Sequence, residues 1–176
     1  QDAGFDGRSY ALALASTRLL EQVSVWARIA DQAQPMHEIK VSDGVAGRGP
    51  SPLFLHFEDS DLEDGPMGYM VEDRYLRRAL LEAMAAEAAI TQINGRTVVA
   101  QEVSADAVTL TLDDGSRLSG ALLVGADGRQ SGTAARAGIK RTGWDYGQTA
   151  LVCAIAHEEP HHGIAHQFFM PPGPLA

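Results

Sequence analysis

The chain has 176 residues, 45% hydrophobic and 21% charged, the balance of one ordinary globular domain or two small lobes and not of a disordered or fibrous chain. Fourteen Lys and Arg face 23 Asp and Glu, a net charge of -9, so the summed field repels phosphate backbones and no nucleic-acid partner is expected. One cysteine, Cys153, excludes an internal disulfide framework, and neither a signal peptide nor an apolar run of spanning length is visible, so a soluble, intracellular chain is expected.

Tyr10 to Ala15 alternates large and small side chains, predicting a strand, and Ser16 offers an N-cap to a following amphipathic helix with Leu19, Leu20, Val23, Trp26 and Ile29 on its apolar side. Pro35 ends that stretch. His37 to Ser42 and Pro52 to Glu58 read as strands, and the acidic run from Glu58 to Gly65 as a solvated loop before the MGYMV segment. From Asp73 a helix of about three or four turns follows, with Leu76, Leu80, Leu81 and Met84 on one side. The period then changes to two. Val98 to Val103, Val108 to Leu112 and Arg117 to Leu118 predict an antiparallel meander with a hairpin at Asp114-Gly115. ALLVGADG reads as a strand buried on both faces, SGTAARAG as a short helix capped by Ser131 and stopped by Gly138, and Thr149 to Ala156 and Ile164 to Phe169 as two further strands.

The chemistry concentrates in Val124 to Arg136. A buried strand ending in Gly-Ala-Asp-Gly before a capped helix suits a polyhydroxyl, phosphate-bearing ligand. An ionised Asp127 accepts hydrogen bonds from ribose or ribityl hydroxyls, and Gly128, lacking a Cβ, lets a pyrophosphate approach the backbone. The same pattern also describes an ordinary strand-to-helix turn.

LLVGADGRQS resembles the Asp-Gly motif of the para-hydroxybenzoate-hydroxylase-type FAD-dependent monooxygenases. DGRSYALALASTRLLEQVSVW, GYMVEDRYLRRALLEA and the tail from Trp144 to Ala176, with HEEPH, Ala165, Gln167, Phe168 and GPLA, are similar to the ubiquinone-biosynthesis hydroxylase branch of that family. The resemblance implies an α/β, mixed α+β fold: a partial FAD-binding flavoprotein monooxygenase lacking the N-terminal βαβ, with a β-meander and part of an antiparallel substrate-binding sheet. It assigns 1–50 and 73–143 to the FAD domain, the latter with the meander and Asp-Gly motif, 51–72 to the substrate sheet and 144–176 to the start of the substrate-binding sheet. Asp127 and Gly128 would contact the FAD ribityl and pyrophosphate, and Arg8 and Arg74 would reach the cofactor. No side chain is assigned as catalytic, because the hard chemistry is the flavin's.

The implied function is aromatic-ring hydroxylation by hydroperoxyflavin chemistry on a polyprenyl phenol of ubiquinone biosynthesis, with NAD(P)H as reductant. It further implies a cytoplasmic protein, peripheral to the inner membrane in its parent form, and a homo-oligomer joined through exposed apolar surface. Two departures stand out. The family's arginine three residues after the motif serine is Ala134 here, Arg136 falling two residues later, and Ser24 replaces a frequent glycine before Val-Trp. No Gly-x-Gly-x-x-Gly turn is found; GVAGRG, from Gly44 to Gly49, has the wrong spacing. The expectation is therefore an internal piece of a longer hydroxylase, inactive and without FAD by itself. A non-catalytic binding or assembly module of the same fold, or another FAD-dependent oxidoreductase, is the alternative. The histidines at 157, 161, 162 and 166, and His56 near carboxylates, suggest incidental metal affinity at most, so no metal ligand is assigned.

Overall fold

A computed structural model describes residues 7–62 and 65–176; Asp6, and Glu63 and Asp64 of the acidic run, lie outside the described residues. The chain divides into two compact units, residues 1–90 with 151–176 and residues 91–150.

In the first unit, strand β1 (Ser9–Ala13) leads directly into helix α1 (Leu14–Gln22). The helix starts two residues before the expected Ser16 cap, with Ala13 at the N-cap and no side-chain cap bond. Thr17 instead turns inward, donating to the Leu14 carbonyl at 2.8 Å. The long helix expected from the apolar spacing ends at Gln22 and gives way to two 3-10 turns, Trp26–Arg28 and Ala30–Gln32. The cause is a Schellman ending: Ser24 N donates to Glu21 O at 3.0 Å, Val25 N donates to Leu20 O at 2.8 Å, and Ser24 takes a left-handed φ of 57°. Val25 and Leu20 then meet in the core, the hydrophobic contact that accompanies this motif. Leu19 and Val23, expected inside, stand exposed because the chain turns before their row reaches the sheet.

Strands β2 (Gln34–Met36), β3 (Glu38–Val45) and β4 (Gly49–Glu58) follow, the last two joined by a turn in which Gly47 and Gly49 have φ near +80°. GVAGRG is thus a hairpin turn. Strand β5 (Gly68–Glu72) lies between β1 and β2, antiparallel to both, and runs straight into helix α2 (Asp73–Ala86). Absence of a linker fixes the helix rotation, so Tyr75, Leu76, Ala79 and Ala83 face the sheet while Leu80, Leu81 and Met84 point outward. Ala79 is 2% exposed, its small side chain letting the helix approach the strands closely. Val25, Ile29, Val71 and Ala79 form the core of this unit, and Trp26 packs edge-on against Tyr69 with ring centroids 4.8 Å apart.

Gly68 sits where the strands crowd: a Cβ there would lie 2.4 Å from the Leu12 carbonyl oxygen.

The second unit contains the meander expected from the period-two pattern, β6 (Val98–Val103), β7 (Val108–Leu112) and β8 (Arg117–Gly120), all antiparallel. Its turn is stapled by Asp114, whose carboxylate accepts from Ser116 N at 2.9 Å and Ser116 Oγ at 2.6 Å and pairs with Arg96 at 2.7 Å, while Gly115 takes φ 81°. Helix α3 (Gly132–Arg136) is capped by Ser131, which accepts from Ala134 N at 3.0 Å, and ends at Gly138 with φ 72°.

Two expected strands are not formed. Residues 121–127 and 149–156 pair with no strand among the described residues. Without a neighbouring ladder, Leu122 and Leu151 remain 81% and 93% exposed. The remaining tail strands, β9 (Ile164–Met170) and β10 (Gly173–Leu175), join β3 and β4 in a sheet ordered β10-β9-β3-β4, β9 running parallel to β3. Part of the sheet expected to be antiparallel is therefore mixed.

Candidate functional site

The Asp-Gly motif forms a loop rather than the end of a paired strand, and its carboxylate organises the helix behind it. Ser131 Oγ donates to Asp127 Oδ1, while Oδ2 accepts from Thr133 N at 2.9 Å and Thr133 Oγ1 at 3.0 Å. These bonds, led by that from Ser131 and then by the Thr133 amide, hold the Asp127 carboxyl well below the usual carboxylate range. The group is therefore an obligate acceptor at neutral pH, with about three of its roughly four lone-pair sites engaged and one left for a ligand hydroxyl.

Gly128 takes φ 79°, and nothing lies within 4 Å of the position a Cβ would occupy. The left-handed turn requires glycine and leaves the backbone open to approach. Gly125 serves packing: its Cβ would lie 3.0 Å from Thr133 Cγ2, so glycine lets α3 close against the preceding segment. Thr133 escaped the sequence reading, although a threonine six residues after an aspartate at a helix start was the available signal. Arg136 turns away from the motif, donating to the Val98 carbonyl at 3.2 Å and tying α3 to β6.

Beside this loop a cavity of about 430 Å³ opens between the meander and α3, lined among others by Gln101, Val108, Leu123, Ser131 and Thr133. The Oε1 of Gln101 is buried without a hydrogen-bond partner.

Arg8 and Arg74 come together at one corner of the first unit although 66 positions separate them. The β1–β5 register sets Ser9 opposite Glu72, so Arg8 meets the start of α2. Asp73 N donates to Arg8 O at 3.0 Å, and the Asp73 carboxylate receives Tyr10 Oη at 2.7 Å and Arg8 Nη2 at 3.4 Å. Arg74 pairs with Glu72 at 2.5 Å and lies over the Tyr75 ring at 4.7 Å.

A family model described as FAD binding domain matches residues 2–169. The chain belongs to that family. Within this FAD-binding-domain family it is of the para-hydroxybenzoate-hydroxylase type and related to the ubiquinone hydroxylases. It is 42% identical over 174 residues to the ubiquinone hydroxylase UbiL of Rhodospirillum rubrum, covering 99% of this chain and 39% of that protein. To the rat mitochondrial ubiquinone biosynthesis monooxygenase COQ6 it is 32% identical, covering 98% of this chain and 37% of that protein. The chain thus spans about two fifths of the length of these relatives.

Among solved structures, a PqsL variant of P. aeruginosa superposes with a TM-score of 0.64 at 24% identity over 77% of this chain and 36% of that one. The flavin-dependent monooxygenase PieE, in complex with FAD and substrate, gives 0.58 at 22% identity over 74% and 25%. These likenesses show the fold, a partial mixed α/β flavoprotein monooxygenase. The Asp127–Gly128 loop fits the cofactor of such a fold, since it offers an ionised acceptor for a polyol and an open glycine backbone for a diphosphate.

Proposed function

We propose that this chain works within a FAD-dependent aromatic-ring hydroxylase acting on a polyprenyl phenol in ubiquinone biosynthesis. The observation that carries the proposal is the Asp127–Gly128 loop, an ionised carboxylate beside an open left-handed glycine, in a chain matched by the FAD binding domain over residues 2–169. Two relatives, UbiL and COQ6, carry ubiquinone in their names, which supports the substrate class.

In this proposal Asp127 accepts from a ribityl hydroxyl and Gly128 presents its backbone to the pyrophosphate. Arg8 and Arg74 place positive charge along the cofactor, each held by the carboxylates at the β1–α2 corner. When bound, FAD supplies the oxygen-activating redox chemistry, with NAD(P)H as the source of reducing equivalents. The chain's own part is to bind, orient and exclude water, and no side chain here has to move a proton. Residues 1–50 and 73–143 are assigned to the cofactor part, and 51–72 and 144–176 to the sheet that receives the aromatic small molecule.

Among the described residues no helix is long and apolar enough to cross a membrane. Peripheral contact with the inner membrane from the cytoplasm, and self-association through the exposed apolar residues at 122, 151 and 155, belong to the same proposal.

The test is Asp127→Ala in the whole protein, read as FAD retention and phenol hydroxylation, with thermal unfolding followed in parallel because Asp127 also braces α3. Loss of both activities with the fold intact is expected. Unchanged retention and turnover would refute the assignment.

A further inference from the structure

A second cluster of chemistry-bearing side chains lies away from the Asp-Gly loop, on the hairpin of β3 and β4. The antiparallel register sets Glu38 opposite Glu58 and Lys40 opposite His56, which puts all four side chains on one face of the sheet. Glu38 Oε2 lies 2.7 Å from His56 Nε2, and Glu58 Oε1 lies 3.3 Å from the same nitrogen. One donor atom from each of Glu38, His56 and Glu58 falls within 4.8 Å of the others.

We propose that Glu38, His56 and Glu58 form a binding site for a divalent cation of borderline character, of the zinc type, on the polar face of this hairpin.

Four observations support the site. Two oxygens and one imidazole nitrogen are a donor set that favours zinc-like ions over the all-oxygen cages preferred by calcium or magnesium. The donors sit on paired strands whose ladder holds their Cα positions before any ion arrives, so little order remains to be created on binding. Ligands 2.0–2.1 Å from a shared zinc stand about 3.3 Å apart. Side-chain rotation closes the gap from the observed spacing without moving backbone. Glu38 is held ionised below the usual carboxylate range by Lys40 and then His56, so no proton has to leave it. The side chains of Glu38 and His56 are 28% and 30% exposed, open enough for a hydrated ion to enter and keep water in its remaining positions.

The opposing element is Lys40, whose ammonium lies 2.7 Å from Glu38 Oε2 and occupies part of the space a cation would take. It makes the site weaker than the donor set alone would give. The tail histidines, the sequence's own suggestion of metal affinity, are engaged otherwise: His157 Nδ1 contacts the Glu159 carbonyl at 2.5 Å, His161 Nδ1 accepts from Gly163 N at 3.0 Å, and His166 stacks on Phe168.

The experiment is a zinc chloride titration of the full chain against a chromogenic chelator, with thermal unfolding recorded at each zinc concentration. The wild type is expected to bind zinc saturably and to unfold at higher temperature as zinc rises. His56→Ala and, separately, the near-isosteric Glu58→Gln should each weaken binding at least tenfold, whereas Lys40→Met should strengthen it several-fold, a gain that misfolding cannot imitate. The paired change His161→Ala with His162→Ala should leave affinity unchanged. No saturable zinc binding by the wild type, or binding lost in the tail variant and kept in His56→Ala and Glu58→Gln, would overturn the proposal.

Discussion

Replacing Gly68 with alanine tests the packing that brings Arg8 to the start of α2. Gly68 is buried in the middle strand of the β1-β5-β2 sheet, paired with Ala13 on one side and Met36 on the other. The new methyl would lie 2.4 Å from the Leu12 carbonyl oxygen and 2.9 Å from Met36 Cε. Met36 can swing its terminal methyl away, but the carbonyl belongs to the β1 backbone. Carbon and oxygen approach to about 3.3 Å, so β1 would have to retreat by about 0.9 Å along a five-residue ladder. Overpacking of this kind costs about 3 kcal/mol when backbone has to move, roughly a hundredfold in the folding equilibrium. With a urea slope of about 2 kcal/mol/M, the midpoint should fall by about 1.5 M. Gly143→Ala is the control, since nothing lies within 4 Å of its Cβ position and its φ is not positive, and it should change stability by less than about 0.5 kcal/mol. A Gly68→Ala midpoint indistinguishable from the wild type would refute the close approach of β1 to β5, and with it the placement of Arg8 beside Asp73.

Ser24→Gly should stabilise the chain by about 1 kcal/mol, because Ser24 holds the left-handed position of a Schellman ending that glycine adopts without steric cost; a lowered melting temperature would contradict this. The Asp127 carboxyl, followed by carbon-detected NMR, should titrate below the ordinary value of about 3.9. Since the folded value lies beneath the unfolded one, its stabilising contribution is complete at neutral pH and is lost only as pH falls from the unfolded value through the folded one. Ser131→Ala and Thr133→Val should each move that midpoint upward, and a midpoint at or above the ordinary value in the wild type would remove the bonds from consideration. In the whole protein, Arg8→Ala and Arg74→Ala should each weaken FAD binding about tenfold, the scale of one charge-assisted contact, as read by flavin fluorescence; unchanged affinity in both would exclude the corner from the cofactor site.

Local patterns account for much that the amino-acid order determined by itself. The two-residue period of 98–112, the Asp114-Gly115 turn, the Ser131 cap and the Gly138 stop all depend on neighbours within a few positions, and each is found where the spacing puts it. The FAD-binding family was legible for the same reason: Asp127 and Gly128 carry their chemistry in adjacent residues. What tertiary structure decided is what depends on distant partners. Strand formation at 121–127 and 149–156 needs a second strand to receive its hydrogen bonds, which no apolar pattern can supply, and α2 buries Ala79 rather than Leu80 because β5 feeds it at a fixed rotation. Thr133 under Asp127, Arg8 against Asp73, and Glu38 beside His56 and Glu58 are likewise products of turn geometry and strand register. A one-residue slip in either ladder would send those side chains to opposite faces, so only the folded register could bring them together.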